Sequence, residues 1–455
     1  MFEHRNVVRL LVLSLTMTLF SVEIYAMPSF ARQTGMACSS CHVQSFGPGL
    51  TPVGRNFKLN GYTTKSNNPD PNLKWAPPIS GMARGSFTHT QKDQPDGAAD
   101  RFGRNDNATL DEASVFYAGR ITSNIGAFVQ GTYSGVDAKW ALDNADIRAA
   151  DHAILAGNSL VYGVSTNNSP SVSDLWNTTP TWGFPWASSE LSPTPAAGNL
   201  IDSLGTQVIG ATAYAMWKNL LYVEAGGYTM LPRNAQKGIN VFDTEQNKIN
   251  GGAPYWRLAL QHDWNGHYGA IGTYGMQANV NPQRLQGAGT DNYVDYGFDV
   301  TYQYLKDMSH IFELNATYLR EQRDMNASVA LGLAEKKFSS LDTARIRAGY
   351  TYQQTYGLNL FYSQATGTKD NIIFSSGDSI SGSQSGKPNN QSFTAEVSYT
   401  PFGKSASTLS TLANLRLAAQ YVHYFRFNGG AHNYDGLGRN AAGNDTVYLN
   451  GWLAF

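Results

Sequence analysis

Cysteine is almost absent from this 455-residue chain: there are two, Cys38 and Cys41. A disulfide framework of the kind that staples small secreted domains is therefore excluded. Charge is scarce as well, at 15% of residues, and 33 basic against 34 acidic side chains leave a net charge of −1. That balance implies neither nucleic acid nor an anionic membrane surface as a partner. Long apolar runs are also lacking. The longest, Leu10–Val22, falls short of the ~20 residues a spanning helix needs, and mean hydropathy is −0.33. A chain of this kind crosses a membrane only as a closed β-barrel, the other fold that pairs every backbone polar group.

Aromatic residues and glycine are plentiful: Tyr 25, Phe 21, Trp 9 and Gly 45. The mixture suits strands separated by many turns. The first 26 residues read as a secretory signal peptide, with Arg5 and Arg9 ahead of the apolar stretch and Ile24-Tyr25-Ala26 as the cleavage site. The mature chain is expected to begin near Met27. An uncleaved anchor is the alternative, and the shortness of the stretch opposes it.

Both cysteines fall in one motif, Cys38-Ser39-Ser40-Cys41-His42. The spacing is that of c-type haem attachment. Two thiols three positions apart can add to the two vinyl groups of one porphyrin, and the histidine that follows can ligate the iron. A redox-active pair is expected near a βαβ pattern, which is missing. A zinc site needs further ligands, and there is no second cysteine pair. A plain disulfide stays open. The usual sixth ligands of haem iron are Met and His, and the nearest in sequence are Met36, Met82 and His89. Each has an ordinary reading too, methionine as packing filler and His89 as a polar strand residue.

Beyond the motif, Pro48, Pro52 and several glycines lead into the turn-rich run 66–72, which reads as a linker. Three regions follow: a leader 1–26, a haem segment 27–72 and a strand-rich region 73–455. So short a segment needs haem or a surrounding wall to complete its burial.

From about residue 78, segments of about ten residues alternate with period two, separated by turn signals. About sixteen are expected, over 78–90, 113–122, 126–135, 144–151, 159–166, 206–217, 220–230, 254–264, 267–278, 291–304, 309–320, 340–353, 356–365, 391–400, 412–427 and 444–455. In the last, Val447, Leu449, Gly451, Leu453 and Phe455 oppose Thr446, Tyr448, Asn450 and Trp452. In 309–320, Phe312, Leu314, Ala316 and Tyr318 oppose Glu313, Asn315 and Thr317. Alternation alone does not separate a soluble sandwich from a barrel, but the connections do. Tight ones near 123–125, 155–158, 218–219, 265–266 and 306–307 alternate with long ones at about 91–112, 167–205, 231–253, 321–339 and 366–390. Short periplasmic turns and long external loops mark an outer-membrane barrel, and 401–411 is the exception as a longer periplasmic connection. The expected fold is all-β, an antiparallel transmembrane β-barrel of about sixteen strands preceded by a small haem c-binding segment.

Particular residues also resemble a known family, the fused monohaem cytochrome–porin proteins of the outer membrane, whose best-known members oxidise ferrous iron. The resemblance lies in Pro28-Ser29-Phe30-Ala31-Arg32-Gln33-Thr34-Gly35 running into the CxxCH, then Pro48, Leu50, Gly54-Arg55, Phe57-Lys58 and Gly61-Tyr62. In the barrel it continues through Asn144-Ala145-Asp146-Ile147-Arg148, Leu160-Val161-Tyr162-Gly163-Val164 and Trp176-Asn177-Thr178-Thr179-Pro180 to Gly183-Phe184-Pro185. It implies one covalent haem c on Cys38 and Cys41, with His42 ligating, and electron transfer across the outer membrane. The implied partners are extracellular Fe(II) or another donor, a periplasmic c-type cytochrome and outer-membrane lipid. If catalytic, such a protein is a ferrous iron:cytochrome c oxidoreductase. The alternatives are a diffusion porin with a haem-bearing plug, a redox-gated pore, and uptake from a donor other than iron.

An even-stranded barrel leaves both chain ends on one side, so the haem segment is in the lumen or just beneath it. Because one haem must serve an apolar band about 25 Å tall, the segment is expected to enter the periplasmic half of the barrel and hold the haem within the lumen. Asp93, Asp96, Asp100, Asp106, Asp111 and Glu112 in loop 91–112 could attract cations, against the plain reading of a solvated loop. Asp146, Arg148, Arg257, Glu313, Arg345 and Arg347 are expected to face the lumen and either dock haem propionates or form a water-lined wall. Trp176, Trp182 and Trp186 are expected to fold the longest loop rather than carry electrons.

Overall fold

A computed structural model describes residues 29–66, 77–243, 246–404 and 413–455. The expected leader, and nearly all of the linker, lie outside the described residues. Sixteen long strands form one antiparallel ring. The first, Ile79–Thr90 (β1), pairs with its successor Asn107–Arg120 (β2) and also with the last strand, Thr446–Ala454 (β17). That second pairing, from Met82↔Ala454 to Thr90↔Thr446, closes the barrel. Each of the sixteen expected segments coincides with a strand. The remaining strand, Lys248–Ile249 (β8), is two residues long and clips onto the end of His267–Asn281 (β10).

Period-two alternation becomes inside and outside. Phe312, Leu314 and Tyr318 of His310–Asp324 (β12) are exposed on the outer wall, whereas Glu313 and Asn315 are buried within. In Phe338–Tyr352 (β13) Ile346 is exposed and Arg347 buried. On β17 Leu449 and Leu453 point outwards, and Tyr448 and Asn450 are buried. At the short-turn end the outer wall carries aromatic contacts, with Trp264 stacked on His262 and His267 and Tyr356 on Tyr399. This is the apolar belt with an aromatic girdle that a bilayer interface favours.

The connections 121–124, 156–157, 218–220, 265–266, 305–309 and 353–355 are short, and 91–106, 168–207, 231–252, 368–389 and 427–445 are long. Between Ile125–Ser134 (β3) and Lys139–Leu155 (β4), however, the long-loop side carries only 135–138. Two strands begin well earlier than expected: β4 starts at Lys139 rather than 144, beyond a register shift between Val129 and Gly131 of β3. The other, β2, starts at Asn107, so Asp111 and Glu112 belong to the wall rather than to a solvated loop. The cause is a bulge opposite Arg84 and Gly85, which interrupts the alternation on which the expectation rested. Both carboxylates instead flank the Arg84 guanidinium, at 3.2 Å and 3.6 Å.

The lumen is filled from both ends. From the long-loop side, 168–207 folds inwards. Its short helix Leu200–Ser203 buries Leu200 and Ile201 among Tyr228, Tyr255, Tyr274 and Tyr293 of the wall. The Leu200 and Ile201 amides donate to Glu321 and Asp295. From the short-turn side enters the N-terminal segment, with helices α1 (Ser29–Thr34), α2 (Cys38–Cys41) and α3 (Pro52–Leu59). Thr51 caps α3 by accepting from the Gly54 amide, and Pro52 occupies its first turn.

The outer face sets a test. Replacing Ile346 with Arg is expected to cost about 2–4 kcal/mol, the penalty for a cation near the bilayer midplane, measured as the shift in urea-induced unfolding of the barrel in lipid vesicles.

Candidate functional site

The CxxCH motif lies at the short-turn end, and its Ser39 side is fastened to the barrel. The Ser39 amide donates to the Gly403 carbonyl at 3.0 Å. Gln354, in the 353–355 turn, donates to the carbonyls of Ser39 (2.9 Å) and His42 (3.3 Å). Beyond the motif, Gln44 donates to Thr355, and the Ser45 carbonyl accepts from Asn414.

Within the segment, His42 bridges to Leu50, and the Thr51 amide donates to Cys41. Gly54 lies directly beneath the Cys41 carbonyl, and a Cβ there would collide with it. That contact accounts for glycine at this point of the motif.

Cys38 and Cys41 lie three positions apart on one helical turn, not joined in a disulfide. Burial pushes the Cys38 thiol up and the Cys41 thiol up to about 11. A redox-active pair needs the opposite, a depressed thiol pKa. The His42 imidazole is pushed down by burial, opposed by the Gly47 backbone, and its Nδ1 is out of solvent without a hydrogen bond. Two thiols on one turn, Cys38 buried and Cys41 half-buried, followed by an imidazole whose Nδ1 is out of solvent and unpaired, are residues that fit a covalently held haem. Among the described residues no group of three or more His, Cys, Asp or Glu side chains is arranged to hold a metal ion.

The residues that follow the motif dock it. Arg55 is buried, donates to the Leu50 carbonyl and to Gln303, and stacks over the Tyr268 ring at 3.7 Å. Lys58 donates to the Asp174 carbonyl (2.5 Å) and to Asn177 (3.1 Å), both on the inward loop. Asn177 in turn donates to Pro48. Gly61, at φ +64°, packs against Arg148 of the wall, and the Tyr62 hydroxyl donates to Asp146 at 2.7 Å. Segment, wall and inward loop are thus one hydrogen-bonded unit. Arg148 joins all three, pairing with Asp146 and donating to the Lys58 and Ser173 carbonyls.

The three sequence candidates for a sixth ligand separate. Met82 faces the lumen and packs in one apolar cluster with Phe116, Ala118, Trp452 and Phe30 of α1. Met36 is on the segment and 37% exposed. His89 points outwards at the long-loop end of β1, where its Nδ1 lies 2.7 Å from Asp106. Seven residues of strand, roughly 23 Å at the usual rise, separate it from Met82, so the wall keeps it from the segment. Sequence reasoning passed over Met216, buried in the wall beside Leu59 of α3.

The lumen-facing charges are packed against neighbours rather than lining water. Arg257 pairs with Asp174 (3.0 Å) and Asp299 (2.9 Å), and Arg347 with Glu313 (2.7 Å). Arg345 lies against Gly183 of the inward loop. Trp176 donates to Tyr268 and Trp182 to the Val172 carbonyl, ties that hold the loop. Asp174, which organises that loop by accepting from the amides of Trp176, Thr178 and Thr179, had no signal beyond its place among polar residues.

The closed ring, its apolar outer belt and its loop asymmetry define a porin-like outer-membrane β-barrel. No protein-family model matches the chain, and neither does any curated protein. Solved structures do match. OmpF of Salmonella typhi in complex with daunomycin is 14% identical over 83% of this chain and 97% of its own, with a TM-score of 0.46. The outer membrane channel DcaP of Acinetobacter baumannii is 12% identical over 83% and 96%, at 0.45. An anion-selective porin from Comamonas acidovorans is 9% identical over 83% and 98%, at 0.45.

Two tests follow from the docking contacts. Asp174→Ala leaves the Arg257 cation short of a buried partner, expected to cost about 3–5 kcal/mol and to open loop 168–207 to protease in the folded barrel. Lys58, pushed down to about 7 by burial and by Arg148, holds its proton to about 10.5 once undocked. Docking is therefore expected to strengthen as pH rises between those values, because the undocked form binds more protons. Protease access to the segment is expected to fall over that window in the native protein, and to stay flat in Lys58→Met.

Proposed function

We propose that this protein is an outer-membrane c-type cytochrome–porin that carries electrons across the membrane, taking them from extracellular Fe(II) and delivering them to a periplasmic c-type cytochrome. One observation carries the reading. A CxxCH motif with a buried Cys38, a half-buried Cys41 not joined to it, and a half-buried His42 whose Nδ1 is out of solvent sits at the short-turn end of a transmembrane barrel. Cys38 and Cys41 would hold haem c covalently, and His42 would ligate its iron. Met82, of the three sequence candidates, is the one on the lumen wall against the segment. Haem bound there supplies a one-electron carrier.

The protein's own contribution is position. The apolar band is about 25 Å tall, and tunnelling falls steeply with distance. A carrier hanging free in the periplasm would not meet an extracellular donor. Gln354, Gly403 and Asn414 hold the motif in the mouth, and Lys58, Arg148 and Asn177 tie it to the inward loop. A diffusion porin with a plug is the rival. The full burial of lumen Arg148, Arg257, Tyr222 and Tyr274 argues for a packed interior over an open path.

Stopped-flow mixing of intact cells with Fe(II) is expected to reduce a c-type haem rapidly in the native strain and not in Cys41→Ala. Purified barrel in planar bilayers is expected to conduct little. A haem that Fe(II) leaves oxidised, together with large steady conductance, points to the porin instead.

A further inference from the structure

Arg55 is buried at 3% exposure, yet no carboxylate forms an ion pair with it among the described residues. Its Nη1 is used twice, donating to the Leu50 carbonyl and to Gln303. Its Nε and Nη2 are out of solvent and make no hydrogen bond. Those two nitrogens form one edge of the guanidinium, the fork that meets both oxygens of a carboxylate. Arginine does not shed its proton in proteins, and a buried cation lacking an anion is costly. The Tyr268 ring beneath it compensates only in part. Asp263 and Glu313 act on it electrostatically without forming an ion pair with it, and Glu313 is already engaged by Arg347 and Gln303.

The position of that edge narrows the choice of anion. Arg55 follows Gly54, which lies against the Cys41 carbonyl, and it is tethered to Leu50, the bridge partner of His42. The free fork is therefore carried by the helix that packs on the motif, on the side where the guanidinium meets Gln303 and Tyr268 of the wall. A porphyrin fixed to the two thiols by its vinyl groups extends its carboxylate-bearing edge away from them, and needs donors there.

We propose that the Nε/Nη2 edge of Arg55 binds a carboxylate, that of the haem. This rests on the haem reading above. Arg55 is a binding residue for the cofactor, and it sets the cofactor's potential by placing a fixed positive charge beside it. The same chemistry would also accept a small free carboxylate.

The test uses the full-length barrel, purified in detergent. Haem content is measured first by the pyridine haemochrome spectrum; a haem-free native protein sinks the haem reading itself. With haem present, Arg55→Gln and Arg55→Lys are compared with the native protein by redox titration and by the propionate bands in resonance Raman spectra. Losing the cation favours the ferric form, so the midpoint potential is expected to drop in Arg55→Gln. A smaller drop is expected in Arg55→Lys, which keeps the charge but not the fork, and the propionate bands are expected to shift in both. Should Arg55→Gln fail to insert, Arg55→Lys reads the same two quantities. Unchanged bands and potential in a haem-loaded variant overturn the proposal. In a second arm, acetate is titrated into the native protein and into a haem-free Cys38→Ala/Cys41→Ala variant. Acetate is expected to bind the haem-free variant alone, in an Arg55-dependent way. Arg55-dependent acetate binding by the haem-loaded protein means that a free carboxylate occupies the fork, and it overturns the assignment to haem. No binding by the haem-free variant overturns the carboxylate site.

Discussion

In hydrocarbon an unpaired backbone amide or carbonyl costs several kcal/mol, so strands that cross a bilayer must close on themselves. Here the closure is the pairing of β1 with β17, and the rest of the architecture depends on it. Sixteen antiparallel strands return the chain to the side on which it entered. The N-terminal segment is therefore delivered to the mouth bounded by short turns, where little chain length stands between its motif and the lumen. The closed wall also removes any exposed sheet edge, which leaves the lumen as the one large surface still to be buried.

That surface is polar, and it is satisfied by bringing matching groups to it rather than by water alone. Arg148 with Asp146, Arg257 with Asp174 and Asp299, Arg347 with Glu313, and Arg416 with Glu396 are buried pairs. Such pairs add little net stability over an apolar packing, yet removing one partner is expensive. Their effect is to make the arrangement specific. Arg148 and Arg257 each reach an element other than the wall: one binds carbonyls of the segment and of loop 168–207, the other the loop carboxylate of Asp174. Loop and segment consequently hold one another, and the motif is positioned by both.

The fold was legible to an unusual degree, because period-two alternation and turn chemistry are local properties. Where a local rule was broken, legibility failed. The bulge at Arg84 and Gly85 hid the start of β2 and moved Asp111 and Glu112 from an imagined loop into the wall. In the site, Cys38, Cys41 and His42 declare themselves by spacing. Arg55, Lys58 and Tyr62 stood in the recognised run of residues, but nothing in one dimension says that they face Tyr268, Asp174 and Asp146. His89 looked as near to the motif as Met82 does, since distance along a strand and side of the wall are invisible in a list of neighbours.

What the sequence by itself determined is therefore the class of structure: the strand number, the alternation of faces, the asymmetry of connections, and a CxxCH ahead of the first strand. Each follows from composition within a few residues. Only the tertiary structure decided what occupies the lumen. Inward folding of loop 168–207, the contacts that seat the segment and the free edge of Arg55 all arise from residues tens to hundreds of positions apart, where the cost of burying charge is met by partners that no local pattern can name.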